Sequence, residues 1–114
     1  MHLVNSTDAV PYDAPFHVNV DTRRIQGLEA GPSDAFWVGI SVYPPGGIAG
    51  PSEVMGETVY VVLDGEFTLD CDGTHVLRRH DSVRFTKGEL RTLVNDSDAD
   101  ATLLVCIAKP PATA

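Results

Sequence analysis

Glu53, Glu57 and Arg91 are the residues of this 114-residue chain whose types and placement could do chemistry. The segment from Glu53 to Leu63 is rich in β-branched residues, and alternate side chains of an extended chain point the same way. On that alternation Glu53, Met55, Glu57, Val59, Val61 and Leu63 share one face. So many large aliphatics are expected to turn toward a core, which would carry both carboxylates inward. A carboxylate partly withdrawn from water beside a cation can act as a general acid or base. Arg91 would be the cation, able to pair with a glutamate or to hold a substrate carboxylate through two parallel hydrogen bonds. Asn95 shares its strand face. The competing readings are carboxylates solvated on a loop and an arginine on the wet side of a strand.

The elements that must position these residues read as strands. Runs at 16–20, 36–43, 58–63, 66–71, 75–78, 82–85, 90–94 and 101–107 are rich in β-branched and aromatic residues. Asp64-Gly65, Asp72-Gly73, Lys87-Gly88 and Asn95-Asp96-Ser97-Asp98 punctuate them as turns. No segment keeps a capped helical period, and ten Gly with eight Pro oppose long helices. Many short strands with regular turns predict an all-β sandwich or barrel over 16–109. A polar arm, 1–15, containing Pro11 and Pro15, is expected to lie over it, and Pro110-Pro111 opens a loose tail, 110–114.

Two stretches carry a resemblance. Tyr60-Val61-Val62-Leu63-Asp64-Gly65-Glu66 resembles the strand and turn that close the first cupin motif. The run from His80 to Asn95 fits the spacing of the second, keeping Gly88 and Asn95 but with His80 for the opening Gly, Thr86 for the Pro and Arg91 for the His. The similarity covers about residues 36–108. It implies a cupin-type jelly-roll β-barrel, often dimeric, with its site inside the barrel mouth. Most cupins hold a metal with His-x-His and a Glu in the first motif and a third His in the second. Here Pro51–Thr58 contains no histidine. Counting back from Gly65 puts the Glu slot on Thr58, with Pro51 and Glu53, or Ser52 and Val54, in the histidine slots. Counting forward from Glu53 puts it on Glu57, and a bulge at Val61-Val62 would reconcile the two.

What the resemblance implies about metal is weakened by these replacements. Iron, zinc and nickel favour imidazole, and Arg91 in a ligand slot would repel any cation. Neither metal nor other cofactor is expected. Motif spacing sets Arg91 across the barrel from the glutamates, so a carboxylate–guanidinium pair is expected in the cavity. Glu57 would move the proton, Glu53 assist and Arg91 hold the substrate's negative charge. Met55, Tyr60, Trp37, His17 and Asn95 are the expected ligand-binding residues. The expected activity is redox-free acid–base work, such as isomerisation, dehydration, decarboxylation or cyclisation, on a small carboxylate- or carbonyl-bearing compound. A non-catalytic ligand-binding module and a metal enzyme using carboxylate ligands stay open as alternatives.

Charge and hydropathy narrow the partners. A net charge of −8 leaves no basic face to displace counterions from nucleic acid, and it disfavours anionic membranes. No apolar run approaches the ~20 residues that span a bilayer, and the N-terminus has no signal-like apolar stretch. A bacterial-type cytoplasmic protein is expected. Cys71 and Cys106 fall in alternating strands and read as packing residues. Apolar residues at 16–20 and 36–43 are expected to cover exposed edges in a homodimer.

Overall fold

The short β-rich runs fold into eleven strands in the computed structural model, which describes residues 1–109. They are β1 (Val10–Pro11), β2 (His17–Val18), β3 (Asp21–Gln26), β4 (Phe36–Tyr43), β5 (Ile48–Glu53), β6 (Thr58–Asp64), β7 (Glu66–Asp70), β8 (Thr74–Arg78), β9 (Ser82–Phe85), β10 (Leu90–Val94) and β11 (Ala101–Ala108). Two single turns of 3₁₀ helix, Ser6–Asp8 and Leu28–Ala30, are the helical content among the described residues. The expected tail, 110–114, lies outside them.

The strands form two antiparallel sheets, one in the order β1-β3-β4-β11-β6-β9 and the other β2-β5-β10-β7-β8. Each sheet turns one face to the other. Tyr43, Val62, Phe67, Phe85, Leu93 and Leu103 are fully buried between them. Residues directly opposed across antiparallel strands share a face, so the register gives the interior layer by layer. In the larger sheet one layer is Phe85, Thr58, Ile107 and Trp37; the next is Val83, Tyr60, Val105, Gly39 and Arg24; a third is Val62, Leu103, Ser41 and Thr22. In the smaller sheet His17, Ala49, Leu93 and Leu69 share the inward face.

The structure corrects the strand reading in three places. The expected strand over 16–20 shrinks to His17–Val18, because Phe16 and Asn19 adopt positive φ on either side of it (61° and 57°). Three strands, β1 within the expected arm, β3 and β5, were not expected. Asp21–Gln26 is too polar to show alternation, and Ile48–Glu53 carries Gly50 and Pro51, which read as breakers. The phase of β6 is also the reverse of the expected one: Thr58, Tyr60 and Val62 are buried, while Glu57 and Val59 face out. The irregularity of β6 lies at Leu63, since Thr102 pairs with Asp64 and Leu103 with Val62.

Candidate functional site

Among the described residues Arg91 is the most deeply buried charged residue. It lies on β10 opposite Ser52 of β5, between the inward-facing Leu93 and the barrel mouth, and is 8% exposed. Its Nε donates to the Tyr60 hydroxyl at 3.0 Å and its Nη1 to the Ser52 hydroxyl at 2.8 Å. No carboxylate of the described residues lies within 4.0 Å of the guanidinium. The expected pair with Glu53 or Glu57 is therefore not formed. Gly50 makes room for this arrangement. A Cβ there would fall 2.4 Å from the Arg91 carbonyl oxygen and 3.1 Å from Nη1, at a φ of +99°.

The two glutamates lie on other surfaces. Glu57 forms an exposed ion pair with Arg84, at 2.5 Å to Nη2. Glu53 opposes Leu90, on the outer face of the β5–β10 ladder. Met55, expected in the pocket, is 87% exposed. These corrections share one cause. The aliphatics Val59, Val61 and Leu63 cover the outside of β6, whereas the expected reading took them for the inside.

Of the other expected ligand-binding residues, Tyr60, Trp37 and His17 face inward. Tyr60 packs edge-on against Phe85 (5.1 Å), and Trp37 against Tyr12 (5.5 Å). His17 lies opposite Ala49, with Nδ1–H donating to the Pro15 carbonyl at 2.7 Å. Burial holds its pKa below the usual value; the Pro15 hydrogen bond raises it, and the Arg91 charge lowers it further. Asn95 is fully buried, but its polar atoms are engaged. Its amide donates to the Tyr43 and Ala99 carbonyls (both 2.7 Å), and its carbonyl accepts from Ser97 N–H and Oγ–H (3.0 and 2.6 Å). It ties the β10–β11 loop to β4, with no capacity left for a ligand.

Sequence reasoning missed a second inward arginine. Arg24 opposes the buried Gly39, stacks on Tyr12 and Trp37 (3.9 and 4.3 Å to the ring centroids), and pairs with Glu29 at 2.5 Å. Its Nε is buried without a partner. Burial pushes the Tyr12 phenol up to about 12, against the lowering effect of Arg24, and the Tyr43 phenol higher still. The barrel thus holds two guanidinium groups among phenols and aliphatic hydroxyls, with Glu29 paired to Arg24, in a protein whose net charge is −8. No motif signalled Arg24, because it sits in the polar strand that lacked alternation.

Such a barrel matches a family model for the cupin domain over residues 39–107. The chain belongs to the cupin family. It is 51% identical over 113 residues to a protein of Mycobacterium tuberculosis named beta-D-galactosidase Rv1717, covering 98% of this chain and 97% of that one. Among solved structures, the polyketide cyclase RemF of Streptomyces resistomycificus superposes with a TM-score of 0.82 at 20% identity, covering 98% of this chain and 82% of that one. A cupin-superfamily sugar phosphate isomerase from Silicibacter pomeroyi superposes with a TM-score of 0.71 at 26% identity, covering 82% of this chain and 61% of the isomerase.

With the phase of the strands known, the cupin metal slots fall on inward-facing Ser52, Val54, Thr58 and Arg91. This is one of the alignments that the spacing left open. The donor set does not fit a divalent metal: two neutral hydroxyls, an aliphatic side chain and a cation offer no anionic or imidazole ligand. The Thr58 hydroxyl is moreover donated to the Gly56 carbonyl at 2.9 Å. Among the described residues no three His, Cys, Asp or Glu side chains are grouped to share an ion.

Proposed function

We propose that this cupin binds a small, oxygen-rich organic molecule at the mouth of its barrel and hydrolyses the glycosidic bond of a β-galactoside there without a metal. The carrying observation is Arg91, a buried cation that meets only hydroxyl groups and has hydrogen-bonding capacity left. Its polar surroundings, Ser52, Tyr60 and His17, suit the hydroxyl and carbonyl oxygens of a sugar. The 51% identity to the mycobacterial beta-D-galactosidase, over nearly all of both chains, supports a galactoside as that sugar.

The test is release of nitrophenol from nitrophenyl β-D-galactoside by the purified, chelator-treated protein, with the α-anomer and the β-glucoside as comparisons. Turnover of the β-galactoside alone, reduced at least tenfold in Arg91→Met, is expected. Activity that appears only after a metal is restored would overturn the reading. A second reading rests on the missing counter-charge of Arg91, which favours a carboxylate- or carbonyl-bearing substrate and acid–base isomerase or lyase chemistry. Tight binding of a sugar acid, with no binding of the neutral galactoside, would select it.

A further inference from the structure

A barrel whose interior holds arginines and phenols needs a carboxylate from elsewhere to move protons in glycoside hydrolysis. We propose that Glu89, with Asp72 across the barrel mouth, supplies that carboxylate pair and that Glu89 is the general acid. The proposal rests on the galactosidase reading above and identifies its catalytic residues.

The backbone fixes the direction of Glu89. Its carbonyl accepts from Val54 N–H at 2.9 Å, and Gly88 N–H donates to the Val54 carbonyl at 2.8 Å, so Glu89 stands opposite the buried Val54. Arg91 stands opposite Ser52 in the next inward position. Glu89 is thus one pleat nearer the mouth than Arg91 and on the same inward face, while Glu53 and Leu90 between them point out. Its Oε2 accepts from Thr86 N–H at 2.8 Å, which orients the carboxyl, and Oε1 has no protein donor among the described residues. Asp72 is at the tip of the β7–β8 hairpin with φ 49°. It lines the same cleft of about 340 Å³ as Glu89, along with Cys71, His75, Leu77, Arg84 and Phe85, and it also lines an adjoining cleft of about 310 Å³ that holds Arg91. Among the described residues no other carboxylate lines the cleft that holds Glu89. The two act on one reporter atom: after burial, the charges of Glu89 and then Asp72 push the Cys71 thiol up, while Arg91 lowers it.

The roles follow from depth. Glu89, the half-buried one, donates its proton to the glycosidic oxygen as the bond from that oxygen to the anomeric carbon breaks. Asp72, on the wet rim, takes a proton from a water whose oxygen bonds to the anomeric carbon. Water is consumed, the sugar and the alcohol are released, and Glu89 is left ionised while Asp72 is left protonated, until solvent resets both. Arg91 would hold a sugar oxygen in the adjoining cleft, which Asp72 shares.

The experiment compares wild type, Glu89→Gln, Asp72→Asn and Glu57→Gln on two β-galactosides, one with a poor alkyl leaving group and one with dinitrophenol, which departs without protonation. Glutamine keeps an oxygen for Thr86 N–H, so the loop geometry is retained. Glu89→Gln should lose about 100-fold or more in kcat/KM on the alkyl galactoside and much less on the dinitrophenyl one. Asp72→Asn should lose similarly on both, and Glu57→Gln should match wild type. Equal losses by Glu89→Gln on both substrates, or none on either, overturn the assignment and leave the galactosidase reading standing. A wild type inert on both removes the reading and the assignment together.

Discussion

At Arg91 the structure places a cation out of water with two hydroxyls for company and no counter-ion. Burying a charge costs several kcal/mol unless an opposite charge is near, and replacing buried ionic groups by apolar ones of similar volume is often neutral or stabilising. Had a glutamate stood beside it, as the sequence led us to expect, removing Arg91 would strand a buried carboxylate and destabilise the fold. With hydroxyl partners the sign reverses. Arg91→Met, which keeps the volume, is expected to leave stability unchanged or raise it by up to about 2 kcal/mol, while sugar binding falls at least tenfold. Thermal melts paired with ligand titration would check this; a clear drop in Tm with binding intact would contradict it. His17 adds a pH dependence at the same scale. Its folded pKa is depressed, chiefly by burial, so the unfolded chain takes up a proton near the ordinary 6.5 more readily than the folded one. His17 therefore supports stability above that value and withdraws the support as pH falls below it. Denaturant titrations from about pH 7 down to about pH 5 should show a decline that flattens in His17→Gln; an unchanged slope in the variant would contradict it.

The strands show why the fold was readable and half of the site was not. Fold class needs only the count, length and punctuation of β-rich runs, and eight of the eleven strands announce themselves by composition. Site residues need phase. The strand β6 carries Val59, Val61 and Leu63 on one face and Thr58, Tyr60 and Val62 on the other, so apolar content alone cannot say which is inward. Once β6 was read one residue out of phase, Glu53, Met55 and Glu57 followed it to the wrong side. Arg91, Trp37 and His17 escaped the error because their inward position rests on other strands or on motif spacing, whereas Tyr60, on β6 itself and of opposite parity to Glu57, faces inward because the phase is reversed. Glu89 has the parity of Arg91 and could have been found from that alone. Its position beside Lys87-Gly88 made it look like part of a turn.

At the scale of the whole molecule, the same apolar outer face that misled the phase needs a physical use. Register sets Ile40, Leu104 and Val61 in one row across β4, β11 and β6, with Val38, Cys106 and Val59 in the next. All point away from the barrel interior, and Val59 is 36% exposed. The charged residues Arg23, on β3, and Arg84, paired with Glu57, stand at the margins of this patch. Contiguous aliphatic patches rimmed by charge mark association surfaces, and a two-fold axis through such a patch makes it self-complementary. We therefore expect a homodimer packed through the outer face of β4, β11 and β6. This keeps the 36–43 segment, which is β4, and replaces 16–20 with the aliphatic outer faces of β11 and β6. Placing one charge at the middle of the patch would put an unpaired ion on each side of the two-fold contact. Leu104→Glu should then halve the mass seen by light scattering at micromolar concentration and leave the circular dichroism of the barrel intact. Its barrel mouth lies on the other face of this sheet, so galactoside turnover should survive in the monomer. A wild-type protein that is already monomeric at that concentration would leave the outer face without a partner and sink the assignment.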